Sequence, residues 1–317
     1  MLGDPIDVGG IRISETLGRF VTSTNAGGVV AILPPEAPRG QLTWISRDGR
    51  VLESIGTPET QYGVELSPTR REVATFRDGD IWTLDLARPV SNKVTRGNNW
   101  RPVWSPDGTR IATRYQGRGI GTFDLEITSV ATGSFTTLLE ATQGTTPLAW
   151  TRDGQTLVFD QVGLWTIGLG DPRKAVPYLQ DGARNLEARL SPDDKWLAYA
   201  TDRSGRFEIE VRSFPVPGPR YVVSLEGGGY PRWRADGREL YFVAGTSRLM
   251  TVGVTPGDPP RFGTPSQLFE VDLVSHPTRG FFDAFEYDVA ADGLRFLVNR
   301  LVSPADTSMT IIVNWSP

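Results

Sequence analysis

The chain has 317 residues and a formal net charge of −4; 38% of it is hydrophobic and 22% charged, with 35 glycines, 24 prolines and nine tryptophans. This balance describes a turn-rich globular chain with ample core, and it lacks the basic field that would gather phosphates, so nucleic acid is excluded as a partner. The absence of cysteine removes disulfides, thiolate nucleophiles and Cys-ligated zinc, while leaving the compartment open.

The first residues, Met1-Leu2-Gly3-Asp4-Pro5, have neither a basic nor an apolar signal-peptide region, and no apolar run reaches the length of a membrane span. The chain is therefore expected to be soluble and to make no membrane contact of its own. It opens almost directly on a strand, 10–14, which reads as a domain cut from a longer protein.

In chain order, a first repeat offers strands at 19–22, 29–33, 41–46 and 51–55, and a second at 64–66, 72–76, 80–85 and 93–95. The third offers 102–104, 110–114, 120–129 and 134–139, and the fourth 148–150, 156–160, 164–167 and 175–179. A fifth has 188–190, 196–201, 208–214 and 221–224, and a sixth 231–233, 239–244, 249–254 and 267–270. The last supplies only 285–289, 294–300 and 309–315. All are short and β-rich, and none holds a helical period.

A turn marker sits between the first two strands of each repeat. It reads Ser105-Pro106-Asp107-Gly108 in its fullest form and returns at Ser67-Pro68-Thr69-Arg70, Thr151-Arg152-Asp153-Gly154, Ser191-Pro192-Asp193-Asp194, Arg234-Ala235-Asp236-Gly237 and Ala290-Ala291-Asp292-Gly293, with a degraded first copy at 23–27. Proline pre-sets φ, aspartate bonds back to the turn, and glycine takes the left-handed position that closes a hairpin. A period of roughly 40–45 residues with four strands each is the mark of a β-propeller. We therefore expect an all-β propeller over residues 1–317 as a single domain, with seven four-stranded blades, or six if the degraded marker heads no full blade. The lone N-terminal strand should complete the three-stranded last repeat and close the ring, removing open sheet edges.

Trp104, Trp150 and Trp233 directly precede a marker, and Trp44, Trp82 and Trp165 recur in third strands. That regularity assigns all six to packing between blades.

The phrase Trp/Leu-Ser-Pro-Asp-Gly, with Asp80-Ile81-Trp82 and Asp85-Leu86, resembles the WD40-like repeats of TolB-type propellers. Segments such as Gln41-Leu42-Thr43-Trp44, 208–215, 227–233, Arg295-Phe296-Leu297-Val298-Asn299 and Val313-Asn314-Trp315 are similar to the C-terminal propeller carried by many bacterial membrane-anchored serine/threonine kinases. This second resemblance implies a sensing or protein-binding module in a periplasmic or extracellular setting, as part of a longer membrane-anchored protein. The chain has no Gly-rich nucleotide loop, His-Arg-Asp or Asp-Phe-Gly, so it is not itself a kinase.

In a propeller the first strand of each blade lines the channel, and recognition gathers at one mouth. Two residues before the markers stand Glu65, Arg189, Arg232 and Asp288 among others; four before them stand Arg101, Glu187, Tyr230 and Glu286. These charges read either as mutually neutralising ion pairs in a wet channel, or as a polar throat in which Arg101, Arg189 and Arg232 fork onto an anionic or zwitterionic ligand. Tyr62, Asn99, Trp100, Asn185, Tyr230 and Phe285 stand at the strand entrances and suit a peptide or a sugar. Trp100 is the most informative, because it falls off the core pattern.

A metal reading stands beside these. Glu65, Asn99, Asn185, Glu286 and Asp288 are hard oxygen donors able to hold Ca²⁺ or another divalent ion, as in propeller hydrolases of lactone and phosphoester bonds. Glu65, Asp288 and the lone His276 are then the candidate catalytic groups. No Asp-rich calcium loop and no Gly-x-Ser-x-Gly elbow accompany them. The leading expectation is a non-catalytic binding propeller; a metal-dependent hydrolase and an inert scaffold are the alternatives.

Overall fold

A computed structural model describes residues 38–117, 122–140, 144–274 and 285–302, and the backbone of two-residue strands at 7–8, 11–12, 24–25 and 28–29. By contacts the chain divides into two compact units, Met1–Arg39 with Val302–Pro317, and Gly40–Leu301. In the first, Asp7–Val8 pairs antiparallel with Ile11–Arg12 and Thr24–Asn25 with Gly28–Val29.

Every element among the described residues is a strand. In the second unit they form six antiparallel blades. Blade 1 is Tyr62–Leu66, Glu72–Arg77, Asp80–Asp85 and Ser91–Lys93; blade 2 is Asn99–Trp104, Arg110–Gln116, Phe123–Ser129 and Phe135–Leu139. Blade 3 is Thr146–Trp150, Thr156–Asp160, Leu164–Gly168 and Ala175–Leu179; blade 4 is Asn185–Leu190, Trp196–Thr201, Glu208–Ser213 and Tyr221–Val222. Blade 5 is Gly229–Trp233, Glu239–Ala244 and Arg248–Thr255, whose outer edge takes Ser266–Glu270 and Arg261–Phe262. Blade 6 orders Tyr287–Val289, Arg295–Val302, Arg39–Ser46 and Val51–Glu59. The first strands of successive blades adjoin one another in a closed cycle, blade 6 meeting blade 1.

The closure corrects the expectation. The last blade is completed by two strands from the N-terminal side, not by the lone strand at 10–14. The reason lies in burial: a third strand is covered on both faces, and Arg39–Ser46 has the apolar run for it, with Leu42, Trp44 and Ile45 all buried. Trp44 thus occupies the third-strand place that Trp82 and Trp165 hold in their own blades. The degraded marker at 23–27 heads no full blade among the described residues, which leaves the lower of the two blade counts. The strand expected at 309–315 lies outside the described residues.

The marker works as its chemistry requires. Ser105 Oγ donates to Asp107 Oδ1 at 2.5 Å, the Thr109 N–H donates to the same oxygen at 2.9 Å, and the Gly108 N–H reaches the Ser105 carbonyl at 2.9 Å. These bonds, the one from Ser105 first, hold the Asp107 carboxyl down to about 2. The fourth marker position is left-handed in the six described copies, at φ 71° in Gly108 and still 57° in Asp194 and 58° in Arg70. Only glycine takes that conformation without a steric cost.

The marker tryptophans tie blades together. Trp104 Nε1 donates to the Glu65 carbonyl at 2.9 Å, Trp150 to Val103 at 3.2 Å, and Trp233 to Arg189 at 3.1 Å. Each indole fills the space between neighbouring blades and satisfies a carbonyl of the preceding inner strand, which agrees with the packing role expected for them.

Candidate functional site

The inner strands share a local irregularity that positions everything in the channel. In blades 1 to 5 the pairing of first and second strand slips one step, between Tyr62 and Glu65, Trp100 and Val103, Pro147 and Ala149, Leu186 and Arg189, and Gly229 and Arg232. Gly63 sits in the first of these bulges at φ 79°, while Arg101, Glu187 and Tyr230 sit in others at 59°, 59° and 57°. A left-handed conformation costs an L-residue roughly 1–2 kcal/mol. A bulge re-aims side chains, so the strain accompanies a redirected inner-strand surface.

Deeper in the channel the residues two before the marker meet. Glu65 Oε2 accepts from Arg189 Nη2 at 2.8 Å and from Arg232 Nη2 at 2.7 Å. Arg232 lies 3.8 Å from Asp288, which also accepts from the Leu66 N–H at 2.8 Å and lies 3.5 Å from Arg70. Arg189 donates to the Leu148 carbonyl and Arg232 to the Val64 carbonyl. Phe285 lies under both guanidiniums, at 3.9 Å from Arg189 and 4.2 Å from Arg232. Burial pushes Arg189 down to about 10; for Arg232 the opposing burial is outweighed by Asp288 and Glu65, and its pKa is raised. Blades 1, 4, 5 and 6 are thus clamped by one ion-pair network.

That network decides how the carboxylates can act. Glu65 and Asp288, the two acids the metal expectation rests on most, face guanidiniums, whose charge repels a cation from the same oxygens. The other three proposed donors make bonds of their own, although those of the two asparagines use Nδ2, and Asn185 Oδ1 is buried without a partner among the described residues. Asn99 Nδ2 donates within its own blade to Thr113 at 3.1 Å and Glu126 at 3.3 Å; Asn185 Nδ2 donates to Asp181 at 2.8 Å; Glu286 accepts from Asn299 Nδ2 at 2.7 Å. Among the described residues no group of three His, Cys, Asp or Glu is placed to hold a metal ion. Glu65 and Asp288, already facing guanidiniums, do not fit the ion. His276 lies outside the described residues.

The entrance residues divide into two kinds. Tyr230 and Phe285 pack against each other at 5.4 Å in a buried apolar cluster, and Asn99 and Asn185 are buried as well. Tyr62 and Trp100 remain partly exposed. They belong to a run of rings, Tyr62 to Phe76 at 6.3 Å, Phe76 to Trp100 at 5.9 Å, and Trp100 to Phe123 at 6.0 Å. All four rings are partly exposed, and their planes are tilted from one another by 32°, 55° and 65°. Burial, more than the charge of Glu286, raises the Tyr62 phenol.

Beside this run lies a second charged group. Arg114, the cross-strand partner of Trp100, stacks on Phe123 at 3.4 Å and reaches Thr146 Oγ1 at 3.5 Å. Its Nε is buried with no hydrogen-bond partner among the described residues. Asp160, paired with Thr146 across blade 3, is pushed up to about 6 by burial, against the pull of Arg101, Thr146 and Arg114. Burial lowers Arg114 to about 10.

Reading first strands alone finds Tyr62, Trp100 and Arg101 and misses Phe76, Arg114, Phe123 and Asp160. The signal that would have found three of them is register: Tyr62↔Phe76, Trp100↔Arg114 and Thr146↔Asp160 are directly opposite pairs. Opposite residues on a hairpin share a face.

No family model matches the chain, and no curated protein matches it. Solved structures do. A TolB candidate from Agrobacterium tumefaciens is 18% identical with a TM-score of 0.67, over 84% of this chain and 99% of that one. TolB from Acinetobacter baumannii is 15% identical with a TM-score of 0.53, over 90% and 79%. An oligogalacturonate lyase in complex with manganese is 15% identical with a TM-score of 0.54, over 89% and 96%. The fold is that of the TolB-type β-propellers, and a fold shared with TolB and with a lyase assigns no activity by itself.

Proposed function

We propose that the chain is a non-catalytic recognition propeller of the sensor type, binding a peptide or protein segment at the entrance of its channel. One observation carries the reading. The deep charges are paired with one another, whereas the partly exposed rings from Tyr62 to Phe123 hold polar and apolar surface open at one rim. Exposed aromatics on a rigid ring of strands are the usual anchors of recognition. The rival, a divalent-metal hydrolase, would need Glu65 and Asp288, and those oxygens face arginines. A setting outside the cytoplasm, within a longer membrane-anchored protein, follows from the resemblance to the kinase-borne propellers and belongs to the same proposal.

Trp100→Ala tests it. The substitution removes a partly exposed ring whose tie to blade 1 is a single tilted ring contact, to Phe76 at 5.9 Å, so the melting temperature should fall by no more than a few degrees. Binding to peptides selected on the wild-type protein should fall by about 10- to 100-fold, the loss of ~1.4–3 kcal/mol expected for an aromatic anchor. Undiminished binding, measured by titration calorimetry, would place recognition elsewhere.

A further inference from the structure

We propose that the entrance between blades 2 and 3 holds a peptide by a carboxylate, gripped by Arg101 and Arg114, with a neighbouring apolar side chain seated against Trp100 and Phe123. This rests on the reading of the entrance as the binding site and adds the chemistry of what binds.

Charge is the first argument. Two guanidiniums, Arg101 and Arg114, act on one carboxyl, Asp160, and neither is within 4.0 Å ion-pair distance of a carboxylate among the described residues. The nearby acids Asp124 and Glu126 alternate to the opposite face of their strand from Phe123 and Leu125, and Glu126 is bonded to Asn99. Among the described residues the niche therefore carries an excess positive charge. Contrast the deep network, where two acids meet Arg189 and Arg232 at close range.

Donor geometry is the second. Arg114 is fixed by its stack on Phe123 and its one long bond to Thr146; its Nε is buried without a partner, as are those of Arg189 and Arg232, so a ligand would meet the terminal nitrogens. A guanidinium held flat with unused donors is pre-organised for a forked contact to a carboxylate, and little side-chain entropy is lost when it forms. Arg101 is turned by its left-handed bulge, a conformation the strand maintains at a steric cost. Asp160 carries one negative charge at neutral pH and so offsets only one of the two guanidiniums.

Ring geometry selects the body of the ligand. A sugar stacks on one flat exposed face. Here the rings stand 55° and 65° to their neighbours, which presents edges and clefts and suits a side chain inserted between them. The carboxylate can come from a C-terminus or from an Asp or Glu side chain, and the experiment separates the two.

Random dodecapeptides displayed with free C-termini would be selected on the whole 317-residue chain. Enriched sequences would then be synthesised in free-acid form, in C-amidated form, and in amidated form with Asp and Glu replaced by Asn and Gln, and titrated by calorimetry. Expected are peptides with an apolar residue next to a carboxylate. Loss of binding on amidation alone assigns the C-terminus; loss only in the third form assigns a side chain. Arg101→Asn, chosen because asparagine tolerates the left-handed region, should weaken the acid form about 10-fold and leave the fully neutral form unchanged. Asp160→Asn should tighten the acid form by several-fold, a gain that a merely structural role for these residues does not produce.

Equal affinity of acid and neutral peptides, or no effect of Arg101→Asn, overturns the carboxylate grip. If such neutral binding still disappears in Trp100→Ala, the entrance reading survives without it. If no peptide is enriched, or if Trp100→Ala changes nothing, both fall. Preferential binding of galacturonate oligomers in the same titration would also overturn the peptide assignment.

Discussion

Replacing Glu65 by glutamine separates a structural channel from a metal-holding one. The Glu65 carboxylate receives Nη2 of Arg189 at 2.8 Å and Nη2 of Arg232 at 2.7 Å, with side-chain exposures of 11% and 6% for the two arginines. Glutamine keeps an acceptor oxygen but removes the charge. Asp288 then faces Arg232 at 3.8 Å and Arg70 at 3.5 Å, while Arg189 is left with carbonyl partners. An unpaired buried charge costs roughly 3–5 kcal/mol, and the retained hydrogen bonding recovers about 1 kcal/mol of it. The expected loss is therefore about 2–4 kcal/mol, read as a fall in the urea midpoint at constant slope. The Glu65→Gln/Arg189→Met double variant should lose less than the sum of its parts, since the residual charge is gone. Chelator should leave the wild-type midpoint where it was, because guanidiniums supply the counter-charge. An unchanged midpoint in Glu65→Gln, or a chelator-induced fall in the wild type, would refute the reasoning.

The remaining predictions concern closure and pH. Gly40→Ala would place a Cβ at van der Waals overlap with Asn299 Oδ1 and 2.7 Å from Val274 Cγ2, in the blade that closes the ring; a loss of about 1–3 kcal/mol is expected by calorimetric melting, and an unchanged melting temperature would show that the closure blade yields easily. Asp160 carries a folded pKa of about 6 against an ordinary 3.8. A raised acid binds its proton more tightly when folded, so this stability is complete below about pH 4 and is lost as pH rises through 6. The difference corresponds to at most ~3 kcal/mol, trimmed by partial solvent access to about 1–2 kcal/mol. Asp160→Asn should flatten the stability profile between pH 4 and 6.5 and be the more stable protein at pH 7; an unaltered profile would count against the burial.

The fold was legible because a propeller writes its period in turns. The Ser-Pro-Asp-Gly hairpins, the tryptophans before them and the spacing all report local chemistry that needs no partner to be read. Closure was not legible, because it pairs strands from opposite ends of the chain, and no local pattern states which N-terminal segment fills the third position. The clue present was Trp44, which matches third-strand tryptophans in other blades. The site was half legible for the same kind of reason. First strands point to Glu65, Arg189, Arg232 and Asp288, and the reading of these as mutual neutralisation agrees with the geometry. Arg114 and Asp160 sit on second strands, so they become neighbours of the entrance only once register is known. Tyr230, expected at the rim, is wholly buried against Phe285, because its left-handed bulge directs it into the core cluster of blades 5 and 6.

The two charged groups of the channel differ in the property that separates structure from recognition. In the deep group Glu65 Oε2 and both Asp288 oxygens find partners within about 3 Å, although Nε of Arg189 and of Arg232 stay buried without one, and an aromatic ring covers two guanidiniums. Such a set gains nothing from a ligand, since any anion entering would have to displace Glu65 from two charge-assisted bonds worth roughly 1.5–3 kcal/mol each. At the rim, Arg101 and Arg114 act on a single acid, Asp160, with which neither makes a close ion pair, and their aromatic surroundings are partly open to solvent. An incoming carboxylate there displaces little and completes donors already fixed in place. The sequence spends strained backbone on Arg101, where glycine in blade 1 shows the strain is avoidable. Retaining arginine at that bulge makes physical sense if its guanidinium meets a partner that the folded chain does not itself provide.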